Sequence, residues 1–208
     1  KRQNISRNQG NLDANTLGGE VNMVDSESIS TTRSDQESPV KIDSLGGDIT
    51  IDRAPVGVYG KTLGGDILIN RAQVFADLET LGGDIEIENI NGSIKARTLG
   101  GNISAVMTGD PAAGDRGVFM SSMDGDLKLT LPENLDMTVE LTIDITKKAR
   151  GKYRIISPLD LEITEREATL REKKDDIERV ITAVGVIGRG THRIELNTIN
   201  GNITLEQK

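Results

Sequence analysis

The stretch "SLGGDITIDRAPVGVYGK", residues 44–61, is followed at once by "TLGGDILINRAQVFADLE", 62–79, and then by "TLGGDIEIENINGSIKAR", 80–97. The pairs Gly46-Gly47, Gly64-Gly65, Gly82-Gly83 and Gly100-Gly101 stand eighteen residues apart without a slip. A fixed period near twenty marks a solenoid, because one such unit cannot bury its own apolar face and must stack on its neighbours. A second, weaker period of nine, clearest where "TLGGDIEIE" meets "NINGSIKAR", divides each coil into two half-coils.

Reading down the aligned units gives the expected interior. Leu45, Leu63, Leu81 and Leu99 form one column, Ile49, Ile67, Ile85 and Ile103 a second, and Ile51, Ile69, Ile87 and Ala105 a third. The last two columns lie two residues apart, as strand alternation demands. The second half-coil contributes Ala54, Val58 and Gly60, then Ala72, Ala76 and Leu78, then Ile90, Ile94 and Ala96, and such small residues imply a flattened cross-section. Stacked about 4.8 Å apart, these columns become internal ladders in which each buried Leu or Ile contributes roughly 1.5–3 kcal/mol. The glycine pair is assigned to a tight corner where positive φ is needed.

The period continues with interruptions. "TLGGEVNM", 16–23, is a coil whose next copy is delayed by a polar loop at 26–39, and "GNLDAN", 10–15, reads as a preceding half-coil. "SMDGDLKL", 122–129, is displaced by an insertion at 108–117, and "TINGNITL", 198–205, is the last copy. We therefore expect one domain over 1–208: regular coils over 1–131, longer strands over 132–197, and a closing coil over 198–208. Leu135, Met137, Val139, Leu141, Ile143 and Ile145 alternate as one long half-buried strand, and Leu159, Leu161 and Ile163 argue another. The charged stretch 165–180 fits a helix by propensity or a hairpin turning at Lys174-Asp175-Asp176; the hairpin is favoured because the strands around it need antiparallel partners. The fold class is all-β, a single-stranded right-handed β-helix of about eighteen residues per coil with antiparallel strands in its last third.

Composition agrees with stacked strands. The chain of 208 residues is 35% apolar but holds only two Tyr, two Phe and no Trp, so Ile, Leu, Val and Ala must build the core. A net charge of −8 repels phosphate backbones and excludes nucleic acid as the expected partner. There is no cysteine, which is compatible with export, and no apolar run long enough to span a membrane. The start at Lys1-Arg2 without Met is read as a processed or trimmed product.

The "T-L-G-G-D-I-x-I" copies and the segment "GVIGRGTHRIELNTINGNITL", 185–205, resemble the bacterial adhesin-labelled domain of unknown function also called the toastrack domain. The resemblance implies a β-solenoid at the cell envelope or outside the cell, with no catalytic signature. It also suggests envelope-stress sensing as one alternative role.

Candidate chemistry is sparse. Asp48, Asp66 and Asp84, continued by Asn102, stack into a column whose carboxylates repel by about 1 kcal/mol per neighbouring pair in water. Calcium-binding nonapeptide β-helices use G-G-x-G-x-D, but here Asp follows the glycine pair directly and the second Gly-x-Asp element is missing. A solvated turn ladder is therefore the expectation and calcium, the one cofactor considered, the alternative. His192 is the sole histidine and no G-x-S-x-G element is present, so the expectation is a capping histidine and no enzyme. Tyr59, Phe75, Phe119 and Tyr153 lie far apart in sequence, which speaks against an aromatic platform for carbohydrate. Lys147, Lys148, Arg150, Lys152 and Arg154 are read as a solvated turn, with contact to anionic glycan or lipid headgroups as the alternative.

The function expected from these readings is a non-catalytic, extracytoplasmic scaffold that binds a cell-surface protein or glycan through its loops. A self-assembling subunit stacking through open β-helix ends is the alternative. The register itself is testable: Ile67→Asp unfolds the central coils by burying an unpaired charge, whereas Leu68→Asp, on the outward face, leaves the thermal midpoint nearly unchanged. Equal damage from the two would contradict the register.

Overall fold

The computed structural model describes residues 3–7, 13–16, 19–25 and 39–208. Their strands, in chain order, are β1 (Gln3–Arg7), β2 (Asp13–Thr16), β3 (Val21–Asp25), β4 (Val40–Ser44), β5 (Ile49–Ala54), β6 (Val58–Thr62), β7 (Ile67–Glu79), β8 (Ile85–Thr98) and β9 (Ile103–Met107). There follow β10 (Val118–Ser122), β11 (Leu127–Leu131), β12 (Met137–Thr146), β13 (Ile155–Ile156), β14 (Glu162–Glu167), β15 (Ile177–Ile187), β16 (His192–Ile199) and β17 (Ile203–Gln207). One short 3₁₀ turn, Glu172–Asp175, is the only helical element among the described residues.

The chain is an all-β solenoid built on two parallel ladders. In the first, β1, β3, β5, the start of β7, the start of β8, β9, β11, β17 and β13 lie side by side. In the second the order is β2, β4, β6, the ends of β7 and β8, β10, β16 and β12, after which β15 and β14 add antiparallel. Ile49 sits opposite Ile67, Ile67 opposite Ile85, and Ile85 opposite Ile103, the eighteen-residue register read from the sequence. Val21 pairs with Ile49 and Ile94 with Val118, so the two longer spacings are absorbed between strands, without shifting a ladder. The polar segment 26–38 lies outside the described residues.

The core is aliphatic throughout. Ile49, Ile51, Ile67, Ile69, Ile85, Ile87 and Ile103 are buried, as are Ala54, Val58, Ala72, Ala76, Leu78, Ile90, Ile94 and Ala96. Small residues lie against large ones: a Cβ on Gly60 would stand 3.0 Å from the Leu78 side chain, its partner in the next coil.

Two expectations about the corner are corrected. Leu45, Leu63, Leu81 and Leu99 are not an internal ladder; they are 52%, 40%, 41% and 46% exposed, and the buried corner position is the Ser or Thr before each of them. Thr62, Thr80 and Thr98 donate their hydroxyls to the carbonyls of Gly47, Gly65 and Gly83 in the preceding coil, at 3.0, 2.9 and 2.9 Å. Each hydroxyl also accepts the N–H of the second glycine of its own pair. A buried aliphatic side chain could not satisfy those polar groups, so the leucine is displaced outward and the hydroxyl residue goes in.

The glycine pairs at 46–47, 64–65, 82–83 and 100–101 do not adopt positive φ. The second glycine is required by close approach: a Cβ on Gly65, Gly83 or Gly101 would stand 2.4, 2.1 or 2.1 Å from the carbonyl oxygen of the same residue one coil back. The first glycine is free of this constraint, since a Cβ on Gly46 or Gly64 meets nothing within 4 Å. That freedom explains why Asp124 and Asn200 can replace it, while Gly125 and Gly201 keep the second position.

The last third caps the stack. Leu135 through Ile145 are buried at every second position, as expected. Stretch 165–180 is a hairpin in which β14 pairs antiparallel with β15, turning through the 3₁₀ turn and Asp176 at φ +66°. The strand argued from Leu159, Leu161 and Ile163 is shifted: Leu159 and Leu161 pack partly against the core, but every side chain of β14 is exposed, Ile163 included. The copy at 198–205 closes the chain without closing the stack. Leu127 pairs with Ile203 and Val139 with Ile194, so the final coil slots between the β10–β11 coil and the capping strand β12.

Two neighbouring substitutions separate the roles of the glycine pair. Gly83→Ala forces a backbone clash and lowers stability by roughly 1–3 kcal/mol or more, whereas Gly82→Ala, whose Cβ would have its nearest neighbour at 4.0 Å, is nearly neutral in thermal denaturation. Equal losses would contradict the close-approach account.

Candidate functional site

The coil has two edges of different character. At the edge carrying the glycine pairs, Asp48 Oδ1 accepts the N–H of Asp66 (3.0 Å), Asp66 that of Asp84 (2.8 Å), and Asp84 that of Asn102 (2.6 Å). Asn102 and Asp126 extend the series to the amides of Asp126 and Asn202, and Asn202 accepts from the N–H of Arg154. The carboxylate column is thus a hydrogen-bonded seam joining exposed turns, with one oxygen of each acid engaged. Among the described residues no group of three or more His, Asp or Glu side chains is placed to hold a metal ion.

The basic cluster lies at the same edge, in the connection between β12 and β13. Lys147, Lys148, Arg150, Lys152 and Arg154 are all exposed, and Lys147 reaches Asp176 at 4.0 Å.

The opposite edge holds the insertion at 108–117. Its centre is Arg116, 1% exposed, whose guanidinium donates to the carbonyl oxygens of Ala113 (2.9 Å), Thr108 (2.7 Å) and Asp110 (2.7 Å) and to Asn91 Oδ1 (2.6 Å). All four partners are neutral, so the loop wraps a buried cation using its own backbone, an arrangement suited to a planar, five-donor head group. The Arg116 N–H donates to His192 Nδ1 at 3.3 Å, which ties the loop to the start of β16.

Beside this loop lies a shallow cleft of about 400 Å³ on the outer face of the second ladder. It gathers Tyr59, Phe75 and Phe119, three of the chain's four aromatic residues, although they come from β6, β7 and β10. The sequence reading that scattered aromatics make no platform is corrected here. Tyr59 and Phe75 touch with ring centroids 4.8 Å apart at 54°, and Phe75 lies over Gly57, where a Cβ would stand 2.3 Å from its ring. The Arg97 guanidinium lies 4.6 Å over the Phe119 ring. Between the two aromatic ends Lys95 pairs with Asp77 at 2.8 Å, and Arg193 at the rim pairs with Glu195 and Glu140 at 3.0 and 3.1 Å. Asp115 and Gly117 carry the insertion into the wall.

Shifted acids lie elsewhere. Burial pushes the Asp144 carboxyl up, while Asp136 is held down by its hydrogen bond from Arg189, Glu172 by Arg166 and Thr169, and Glu206 by Lys128. None of the four lines the cleft. Sequence reasoning missed Arg116 and the assembly of the rings; the sole sequence signal was the break in period that brings in 108–117.

Residues 61–146 match the family model described as Toastrack DUF4097, from the end of β6 to the end of β12. The match supports a toastrack-type β-solenoid domain of unknown function. It ends before 185–205, the stretch that also carries the resemblance in sequence. Comparison with curated proteins and with solved structures gives no match. No helix among the described residues is long and apolar enough to cross a membrane.

Arg116→Met removes the donors on which the insertion is folded, those bonded to the Thr108, Asp110 and Ala113 carbonyls and to Asn91. The expected outcome is faster proteolytic cleavage within 108–117 while the coils keep their β circular-dichroism signal. Unchanged protease resistance would show that Arg116 does not organise the loop.

Proposed function

We propose that the chain is a non-catalytic binding scaffold of the cell envelope or extracellular space: a right-handed single-stranded β-solenoid whose recognition surface is the cleft beside 108–117. The carrying observation is the insertion itself. A segment that interrupts the register is folded around a buried guanidinium making four hydrogen bonds, and it walls a cleft with Tyr59 and Phe75 at one end and Phe119 at the other. Rigid loops on a rigid scaffold, with apolar rings and a few polar groups converging, are the usual construction of a binding site.

Binding without catalysis fits the chemistry available. The chain has no cysteine, its one histidine accepts a backbone N–H, and the central acid and base of the cleft neutralise each other. Head-to-tail stacking draws less support: at the C-terminal end the outermost strand of the second ladder, β14, presents six exposed side chains, four of them charged, which is how sheets avoid adding further strands.

Fluorescently labelled protein, titrated onto immobilised bacterial cell-envelope fragments, tests the reading. Saturable binding that is lost in the Tyr59→Ala/Phe119→Ala double variant, with its fold retained, is expected. Absence of saturable binding, or equal binding by the double variant, would overturn it.

A further inference from the structure

The outward column of the second ladder runs Tyr59, Asp77, Lys95, Phe119, Glu195, each residue opposite the next in register. Three strand spacings separate Tyr59 from Phe119, about 14 Å along the solenoid axis at ~4.8 Å per strand. The cleft is therefore elongated along the axis, with an aromatic group at either end and an ion pair between. The ends differ: Tyr59 is 47% exposed and braced by Phe75, whereas Phe119 carries the Arg97 guanidinium on its ring.

Three features select the ligand. First, charge is nearly balanced locally: the lining sets Asp77, Asp115 and Glu195 against Lys95 and Arg193, and Arg97 lies beside it over the Phe119 ring. Asp77 and Glu195 are in direct ion pairs, so an anionic or cationic polymer finds no surplus of opposite charge. Second, the strands beneath the cleft have no free edge. β6 lies between β4 and β7, β8 between β7 and β10, and β10 between β8 and β16, so an extended peptide could not add as a further strand. Third, an exposed ring face beside paired carboxylate and ammonium groups offers an apolar platform next to both hydrogen-bond acceptors and donors.

We infer that the cleft binds an uncharged oligosaccharide lying along the solenoid axis, with one sugar ring on Tyr59 and its hydroxyls meeting the Asp77–Lys95 pair. A saccharide ring supplies what these features ask for: C–H faces for the aromatic ring, hydroxyls that both donate and accept, and no net charge. This rests on the cleft being the recognition surface, and it adds the chemical class and direction of the ligand.

The test uses the same envelope fragments and the full chain. Fragments are treated either with periodate, which cleaves the vicinal diols of sugars, or with protease, and binding is measured alongside an array of defined neutral and anionic oligosaccharides. Expected are loss of binding after periodate, retention after protease, and capture by neutral array members that weakens about tenfold or more in Tyr59→Ala but not in Tyr153→Ala, outside the cleft. Cleft-dependent binding that survives periodate and is lost to protease would overturn the saccharide assignment and leave the scaffold reading standing. Preference for anionic glycans, unaffected by Tyr59→Ala, would also overturn it. No binding to untreated fragments would instead count against the scaffold reading itself.

Discussion

Everything in this molecule hangs on how closely one coil approaches the next at the glycine edge. There the Cα of Gly65, Gly83, Gly101, Gly125 or Gly201 is pressed against the carbonyl of its counterpart one layer back, leaving no room for a Cβ. That contact brings a buried threonine or serine hydroxyl within reach of the same carbonyl, at 2.7–3.0 Å from Thr62 to Thr198. It also aligns the following Asp or Asn so that its side chain accepts the amide of the next turn. The motif T-L-G-G-D is thus a joint between layers in which each letter but the leucine and the first glycine has a bond or a clash to account for it. Neutral hydrogen bonds contribute about 1 kcal/mol each, so repetition over successive layers is what makes the joint strong.

Fixing one edge leaves the other free to vary. The insertion at 108–117 and the connection 132–136 both leave the solenoid opposite the glycine edge, as do the flanks of 26–38. Additional chain there perturbs no ladder, because the strands on either side resume register with the neighbouring coil. The cleft arises at that edge for the same reason: a wall can be added beside Tyr59, Phe75 and Phe119 at no cost to the stacked core. The exposed leucine column belongs to the fixed edge, and its last equivalent, Ile199, is covered by the molecule's own hairpin through Ala168, Ile177 and Val180.

The period of eighteen and the alternation at 49, 51, 67 and 69 made the fold readable, because ladders need the same residue type at the same phase in each layer. Strand β12 was equally plain from its two-residue period. The corner was misread since apolar character alone placed Leu63 inside, whereas the deciding quantity, a carbonyl needing a donor, belongs to the layer before. The site was almost invisible. Tyr59, Phe75 and Phe119 come to line one cleft only through lateral stacking, and nothing in a linear reading distinguishes a buried Arg116 from the exposed arginines elsewhere. The place of the last coil, inside the cap and not beyond it, likewise depends on pairings across seventy-six residues.

Native-state hydrogen exchange at single-residue resolution tests the joint most directly. The amides of Asp66, Asp84, Asn102, Asp126 and Asn202 sit in exposed turns, where unbonded N–H groups exchange quickly. Protection at these five comparable to that of the adjoining strand amides is the predicted result. Exchange at the rate of free turns, with the strands still protected, would show that the layers are held by their ladders alone and that the seam does not form.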